Sequence, residues 1–163
     1  MTTKGLWRCR VTISIRSARC GEAGFLSELA LRSKAHWGYD AEFLASCRAE
    51  LTLTDAELGT RRTTVAERAG DIVGFTTLEG EPPQGVLGMM FVDPCAIGKG
   101  IGRLLFTHAV ETAQALGFTR FTIDADPNAE PFYEAMGGVA VGRVPSGSIP
   151  GRTLTRYLRR VPD

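Results

Sequence analysis

Residues 91–105, Phe-Val-Asp-Pro-Cys-Ala-Ile-Gly-Lys-Gly-Ile-Gly-Arg-Leu-Leu, constrain the fold of this chain more than any other stretch. An apolar run, Val86 to Val92, stops at Asp93-Pro94. Gly98, Gly100 and Gly102 then fall at alternate positions, and a helical pattern starts at once and runs to Leu116. A strand, a glycine turn and a helix N-terminus in that order make a phosphate cradle. Successive backbone N–H groups point into one concavity, backed by the positive end of the helix dipole. Glycine suits the turn because it takes positive φ at little cost and lets a ligand approach the backbone closely.

Spacing narrows the ligand. A Walker loop places four residues between its first glycine and Gly-Lys, then Ser or Thr; here Gly98-Lys99 is followed by Gly100. A dinucleotide fingerprint needs its third glycine at position 103, which is Arg103, and belongs to an early strand-helix-strand unit rather than mid-chain. The residues leave open a third kind of phosphate loop and a plain tight turn into a helix.

Around this centre the pattern predicts a first strand over Val11–Ile15 and a helix over Ala23–Ser33 carrying Phe25, Leu26, Leu29 and Ala30, with Leu31 exposed. After Gly38, Asp40 caps a second helix bearing Phe43, Leu44, Cys47 and Leu51. Thr52 to Arg62 is polar and reads as loop, with one helical turn available at Asp55-Ala-Glu-Leu. Thr64–Arg68 and Ile72–Leu78 pair as a hairpin through Ala69-Gly70-Asp71. The strand Val86–Val92 follows. The helix behind the glycines presents Leu105, Ala109, Ala113 and Leu116, and Gly117 is its C-cap. Phe121–Ala125 is a strand, Asp126-Pro127 opens a helix that closes at Gly137-Gly138, and Val139–Val144 and Thr153–Leu158 are two last strands. The order is β-α-α-β-β-β-α-β-α-β-β. At 163 residues, with no repeat or linker, the chain reads as one domain over 1–163.

A formal net charge of +1 and the lack of a Lys/Arg stripe argue against nucleic acid as partner; the arginines of the final strand read as a solvated face. No apolar run approaches membrane length, and Met1-Thr-Thr-Lys-Gly lacks an export signal's apolar core. Cys9, Cys20, Cys47 and Cys95 share no metal-like spacing, so no metal is expected. A reduced, cytoplasmic protein with free thiols fits best. Cys95 beside the glycine turn invites a nucleophile reading, but without an identifiable His or Asn/Asp partner the simpler reading is a small side chain filling the loop.

The glycine stretch resembles motif A of the GNAT acetyltransferases, Q/R-x-x-G-x-G/A, with Gly100 and Gly102 at the glycine positions and Ile97 where the family usually has Gln or Arg. Asp124 to Gly138, Asp-Ala-Asp-Pro-Asn-Ala-Glu-Pro-Phe-Tyr-Glu-Ala-Met-Gly-Gly, resembles the family's motif B, with Ala129, Phe132, Tyr133 and Gly137 in register. Asp126 stands at its usual Asn position, and Asn128 lies two residues on. The element order also matches end to end. The resemblance implies an α/β fold: a mixed central sheet of about seven strands with helices on both faces, its fourth and fifth strands splayed to admit acetyl-CoA. Pantetheine would bond to main-chain groups near Met90, Phe91 and Val92 like an added strand. The stretch Ile97, Gly98, Lys99, Gly100, Ile101, Gly102 and Arg103 would take the pyrophosphate, with Asn128, Phe132 and Tyr133 completing the coenzyme site.

The implied activity is acetyl transfer to a primary amine, on a small molecule or peptide, by direct attack in a ternary complex. That route needs no enzyme nucleophile. In the family the residue matching Tyr133 donates a proton or hydrogen bond to the departing thiolate. A phenol near pKa ~10 is a weaker acid than a thiol near ~8.5, so full transfer is uphill by roughly 2 kcal/mol, and a stabilising hydrogen bond is the safer role. A base is harder to place. An alkylammonium with pKa ~10.4 is deprotonated in only about one molecule in 2,500 at pH 7, and many family members carry a Glu for this purpose on the fourth strand. Here that strand, Gly85 to Val92, holds no acid. His36, in Ser33-Lys-Ala-His-Trp-Gly-Tyr39, is the candidate base, in a region that lines the family's acceptor pocket; an ordinary helix-end histidine is the alternative. Trp37, Tyr39 and Asp124 join it as acceptor-pocket candidates; the alternatives are an anchor for the helix–helix joint for Trp37 and Tyr39 and a solvent-side strand residue for Asp124. For Asp126 the simplest reading is a helix cap. The loop Ser146 to Arg152 closes over the acceptor, meets a second subunit of a homodimer, or merely connects two strands. A different class of reading keeps the fold without the chemistry, as a non-catalytic acyl-CoA-binding or regulatory module; Ile97 and the missing acid favour it and Tyr133 opposes it.

Overall fold

The computed structural model describes residues 11–163; Cys9 and the opening Met1 to Gly5 lie outside the described residues. Strands β1 (Ile13–Ser17), β2 (Thr64–Arg68), β3 (Asp71–Glu81), β4 (Gln84–Val92), β5 (Arg120–Ala125), β6 (Val139–Pro145) and β7 (Thr153–Arg160) alternate with helices α1 (Ala23–Ala35), α2 (Ala41–Leu51), α3 (Asp55–Thr60), α4 (Ile101–Leu116) and α5 (Glu130–Ala135). The seven strands form one sheet in the order β1-β2-β3-β4-β5-β7-β6. Only β4 and β5 run parallel, and α4 supplies the crossover that a parallel pair requires.

Local chemistry sets the helix ends. Asp40 caps α2 by accepting the Phe43 N–H at 2.8 Å. Thr54 and Glu57 form a reciprocal capping box, which nucleates α3 where the polar sequence suggested little more than loop. Asp126 accepts the Asn128 N–H, but the predicted helix from that cap opens as a 3-10 turn, Pro127–Ala129, before α5 begins. β1 starts two residues later than the alternation implied, leaving Val11 exposed. Three apolar assignments change. Leu31 is buried, whereas Phe25, under the Arg32 guanidinium, and Leu116, in the last turn of α4, are exposed.

Helices cover both faces. Leu26 and Leu29 of α1, Cys47 and Leu51 of α2 and Leu58 of α3 pack on Val65, Phe75 and Met89. On the other face Phe106, Ala109 and Ala113 of α4 and Tyr133 of α5 pack on Leu87, Phe121, Ile123 and Tyr157. Leu87 and Met89 therefore serve opposite faces although two residues apart, where regular alternation would put them on one. The register explains this. Thr77 opposes Met89 and Leu78 opposes Leu87, so Gly88 is an extra, bulged residue.

β4 and β5 pair only at Gln84–Arg120, Gly85–Phe121 and Val86–Thr122. Beyond Val86 they part, leaving the rest of the β4 edge open towards β5, as the sequence reading expected.

Candidate active site

The gap opens into a cavity of about 730 Å³ that reaches from the glycine turn to the ends of α1 and α2. One wall is main chain. Met90, Phe91 and Val92 lie along the open edge of β4, and Ile97, Gly98 and Gly100 to Arg103 continue the lining into the first turn of α4. Gly98 (φ 77°) and Gly100 (φ 81°) are left-handed, a conformation that costs other residues about 1–2 kcal/mol. A β-carbon on Gly102 would sit 3.4 Å from the side chains of Met90 and Phe132. The Lys99 ammonium donates to the Cys95 carbonyl at 3.0 Å, bracing the loop.

Asp93 ties this loop to α1, accepting from the Cys95 N–H at 3.1 Å and from Arg32 Nη2 at 2.9 Å. Burial opposes its ionisation, but these bonds outweigh burial and hold its carboxyl below the ordinary range. The Cys95 thiol is pushed up, chiefly by its interaction with Asp93 and then by burial. A raised thiol holds less thiolate at neutral pH, which argues against a nucleophile.

Tyr133 closes the other wall. Its ring packs among Phe106, Phe132 and Tyr157 at centroid distances of 6.1, 5.3 and 6.3 Å, and the residue is 6% exposed. It lines the cavity, and among the described residues no group hydrogen-bonds its hydroxyl. Burial, and then the Asp126 carboxylate, raise its pKa well above the ordinary phenol value. The hydroxyl therefore stays protonated and is a donor in want of an acceptor.

At the far end the lining is side chains. Asp126 accepts from Tyr39 Oη (2.8 Å), Arg152 Nη2 (3.1 Å) and Asn128 Nδ2 (2.9 Å), and Lys34 Nζ stands 3.6 Å away. Burial again opposes ionisation, and the Asn128 N–H, Tyr39 and Lys34 prevail, so its pKa is lowered. Tyr39 stacks on Phe43 at 4.0 Å, and Arg152 lies over both rings. The loop between β6 and β7 is thus docked. Ser148 donates to Glu50 of α2, and Arg152 reaches the end of β5. Asp126 is a cap, as read from sequence, and also the hub that joins four segments.

The sequence candidates divide. Trp37 and Asp124 line the cavity, with Asp124 paired to Arg156 at 2.7 Å. Tyr39 touches the cavity's Asp126. His36 is exposed at the end of α1, edge-on to Trp37 with centroids 5.1 Å apart, and stands apart from the lining. Lys34, Glu50, Arg61 and Glu79 line the cavity and were not read from the sequence. Gly88 was the available signal, since an isolated glycine inside a strand marks a bulge or a close approach. Among the described residues no group of His, Cys, Asp or Glu is arranged to hold a metal, and no helix is long and apolar enough to cross a membrane.

The model of the acetyltransferase (GNAT) domain family matches residues 28–146. The chain belongs to the GNAT family. Over 71 residues it is 37% identical to peptidyl-lysine N-acetyltransferase YjaB of Salmonella typhimurium, a match that spans 44% of this chain and 45% of that protein, just under half of each. Among solved structures, a GCN5-related N-acetyltransferase from Rhodopseudomonas palustris is 26% identical, with a TM-score of 0.73 over 91% of this chain and 96% of its own. The PaiA N-acetyltransferase of Thermoplasma acidophilum, solved with coenzyme A, shares the fold at 18% identity, with a TM-score of 0.76 over 91% of this chain and 99% of its own. The GNAT fold expected from the two motifs is the fold observed.

Proposed function

We propose that this GNAT protein moves the acetyl group of acetyl-CoA to a primary amine by direct attack in a ternary complex. The observation that carries the reading is Tyr133, a buried phenol that lines the cavity and whose hydroxyl has no hydrogen-bond partner among the described residues. A binding module has no use for such a donor. The residues present also suit the cosubstrate. The open β4 edge at Met90, Phe91 and Val92 offers main-chain bonds to pantetheine, and one N–H there holds the charge developing on the thioester oxygen. Ile97 to Arg103 offer the pyrophosphate a nest of N–H groups at a helix N-terminus, with Asn128 and Phe132 alongside. The raised pKa of Tyr133 makes full proton transfer to sulfur costlier still, so its role is a hydrogen bond to the leaving thiolate.

The acceptor enters at the opposite end, past Trp37, Tyr39 and Asp124, beneath the Ser146–Arg152 loop. The name of the relative YjaB favours a lysine side chain of a peptide, and a small amine is the other class. A homodimer is compatible with β6, an edge strand that leaves Val139 and Val141 exposed. The test is thiol release from acetyl-CoA across a panel of amines, amino acids and lysine peptides, with coenzyme binding followed separately. Saturable turnover with one acceptor class, lost in Tyr133→Phe while coenzyme binding persists, supports the reading. Coenzyme binding without turnover on any acceptor supports a non-catalytic module.

A further inference from the structure

Glu79 stands on β3 beside the bulge of β4, and its carboxylate occupies the space that a side chain at Gly88 would fill. A β-carbon there would lie 1.9 Å from Glu79 Oε1 and 3.1 Å from Thr77 Oγ1. The β4 strand itself has no titratable residue between Gln84 and Val92, so the carboxylate on its bulge comes from its neighbour. Oε1 is fully engaged, accepting from Arg61 Nε (2.9 Å), Arg61 Nη2 (2.7 Å) and Thr77 Oγ1 (2.8 Å). Thr77 Oγ1 in turn accepts the Met89 N–H at 2.9 Å, which fixes the arrangement to the β4 main chain. Oε2 has no partner among the described residues, and Glu79 lines the cavity that also holds Met90, Phe91 and Tyr133. One oxygen is clamped over Gly88, and the other is without a protein partner on a residue that lines the cavity.

Resting on the acetyltransferase reading, we propose that the Glu79 carboxylate, seated from β3 in the space left free by Gly88, binds the acceptor's ammonium through its unpartnered Oε2 and receives its proton. The balance is simple. The ammonium gives one proton to Oε2, and the resulting amine forms the C–N bond at the thioester carbonyl carbon. The C–S bond breaks, and its electron pair leaves on sulfur, where the Tyr133 hydroxyl bonds it. The second nitrogen proton goes to that sulfur, giving an amide and a thiol, while Glu79 returns its proton to water; nothing is oxidised or reduced. Arg61 after α3 pairs with Glu79, Arg62 pairs with Glu81 of the same strand, and Lys34, Cys47, Glu50, Arg103, Asp124, Asp126, Tyr133 and Arg152 line the same cavity.

Glu79→Gln keeps shape and hydrogen bonding but removes the proton acceptor. The expected loss is about 100-fold in kcat/KM for the amine at pH 7. Acetyl-CoA binding stays within twofold, and the deficit shrinks as pH rises towards the amine's own pKa, where a base is no longer needed. Gly88→Ala drives the carboxylate from its place and is expected to reproduce that loss and that pH dependence. In the Glu79→Gln background it adds less than twofold, the non-additivity of residues that act together. A Glu79→Gln protein with wild-type kcat/KM, or one whose deficit is the same at every pH, overturns the inference alone. Absence of wild-type turnover with every amine overturns the acetyltransferase reading and this inference with it.

Discussion

The two ends of the cavity are built from different material. The end proposed for the coenzyme is main chain: an unpaired strand edge from Met90 to Val92 and a left-handed glycine turn at Gly98 and Gly100, with side chains doing little beyond bracing. The end proposed for the acceptor is side chain: Lys34, Tyr39, Asp126, Asn128 and Arg152, drawn from four segments and held by one carboxylate. A main-chain site is indifferent to most substitutions and recognises what all its ligands share. A side-chain site changes with each residue, and suits the partner that varies. The division matches a family in which one cosubstrate meets many acceptors.

Substitutions can break that contrast at its sharpest point first. Tyr133 is where the two ends meet, and removal of one transition-state donor costs about 100- to 1,000-fold in kcat. Tyr133→Phe is expected to lose that much turnover, read by thiol release, while its affinity for acetyl-CoA, read by calorimetry, stays within about twofold. A comparable loss of coenzyme affinity would instead assign Tyr133 to packing. Next comes the cradle itself. Gly100→Val forces a β-branched residue to φ near 81°, a strain of about 2 kcal/mol. Coenzyme affinity is expected to fall about 30-fold, with the KM of the acceptor little changed.

The same contrast explains what the sequence disclosed. The strand, glycines and helix from Val86 to Leu116 are contiguous, and local backbone rules suffice to place them. α4 ends at Leu116, where the pattern put its end, and starts at Ile101, so that the last glycine, Gly102, already lies in its first turn. The Asp126 hub joins residues as far apart in sequence as Tyr39 and Arg152, and no spacing rule relates them. Gly88 lies between. It was visible as a glycine inside an apolar strand, yet what fills its space is Glu79 of the neighbouring strand, which only the register reveals. His36 makes the opposite case. Its residue type suited a base, but helix α1 ends just before it and its ring lies outside, against Trp37.

If one carboxylate holds the acceptor end, that end fails first in acid. The native state keeps the Asp126 pKa below its ordinary value, so the stabilisation is complete above the unfolded pKa near ~3.9 and disappears as pH falls through the lower native value. Asp126→Asn retains an oxygen for Tyr39 but leaves Lys34 and Arg152 sharing no anion. With all three side chains 14–20% exposed, the cost is about 2 kcal/mol, below that of a fully buried pair. The melting temperature at pH 7 is expected to drop by about 6 °C. Below pH 4 the gap between wild type and variant closes, because protonation removes the same charge from the wild type. A gap that stays constant down to pH 3 would mean that the hub works by shape alone.

The smallest expected effect tests whether the coenzyme end is as backbone-dominated as it looks. Ile97 is half-buried beside the cradle, at the position where the family usually carries Gln or Arg. Ile97→Arg adds a cation next to the pyrophosphate's expected place without altering the glycines, and an extended residue at φ −63° accepts any side chain. A solvent-screened ion pair contributes about 0.2–1 kcal/mol, so acetyl-CoA should bind about threefold more tightly at low salt, and the gain should fade by 0.5 M salt. Two thermodynamic titrations at different ionic strengths measure it. A gain of thirtyfold would mean that a side chain at this position rivals the whole glycine strain introduced by Gly100→Val. The main-chain cradle would then be a scaffold awaiting a charge rather than a sufficient site.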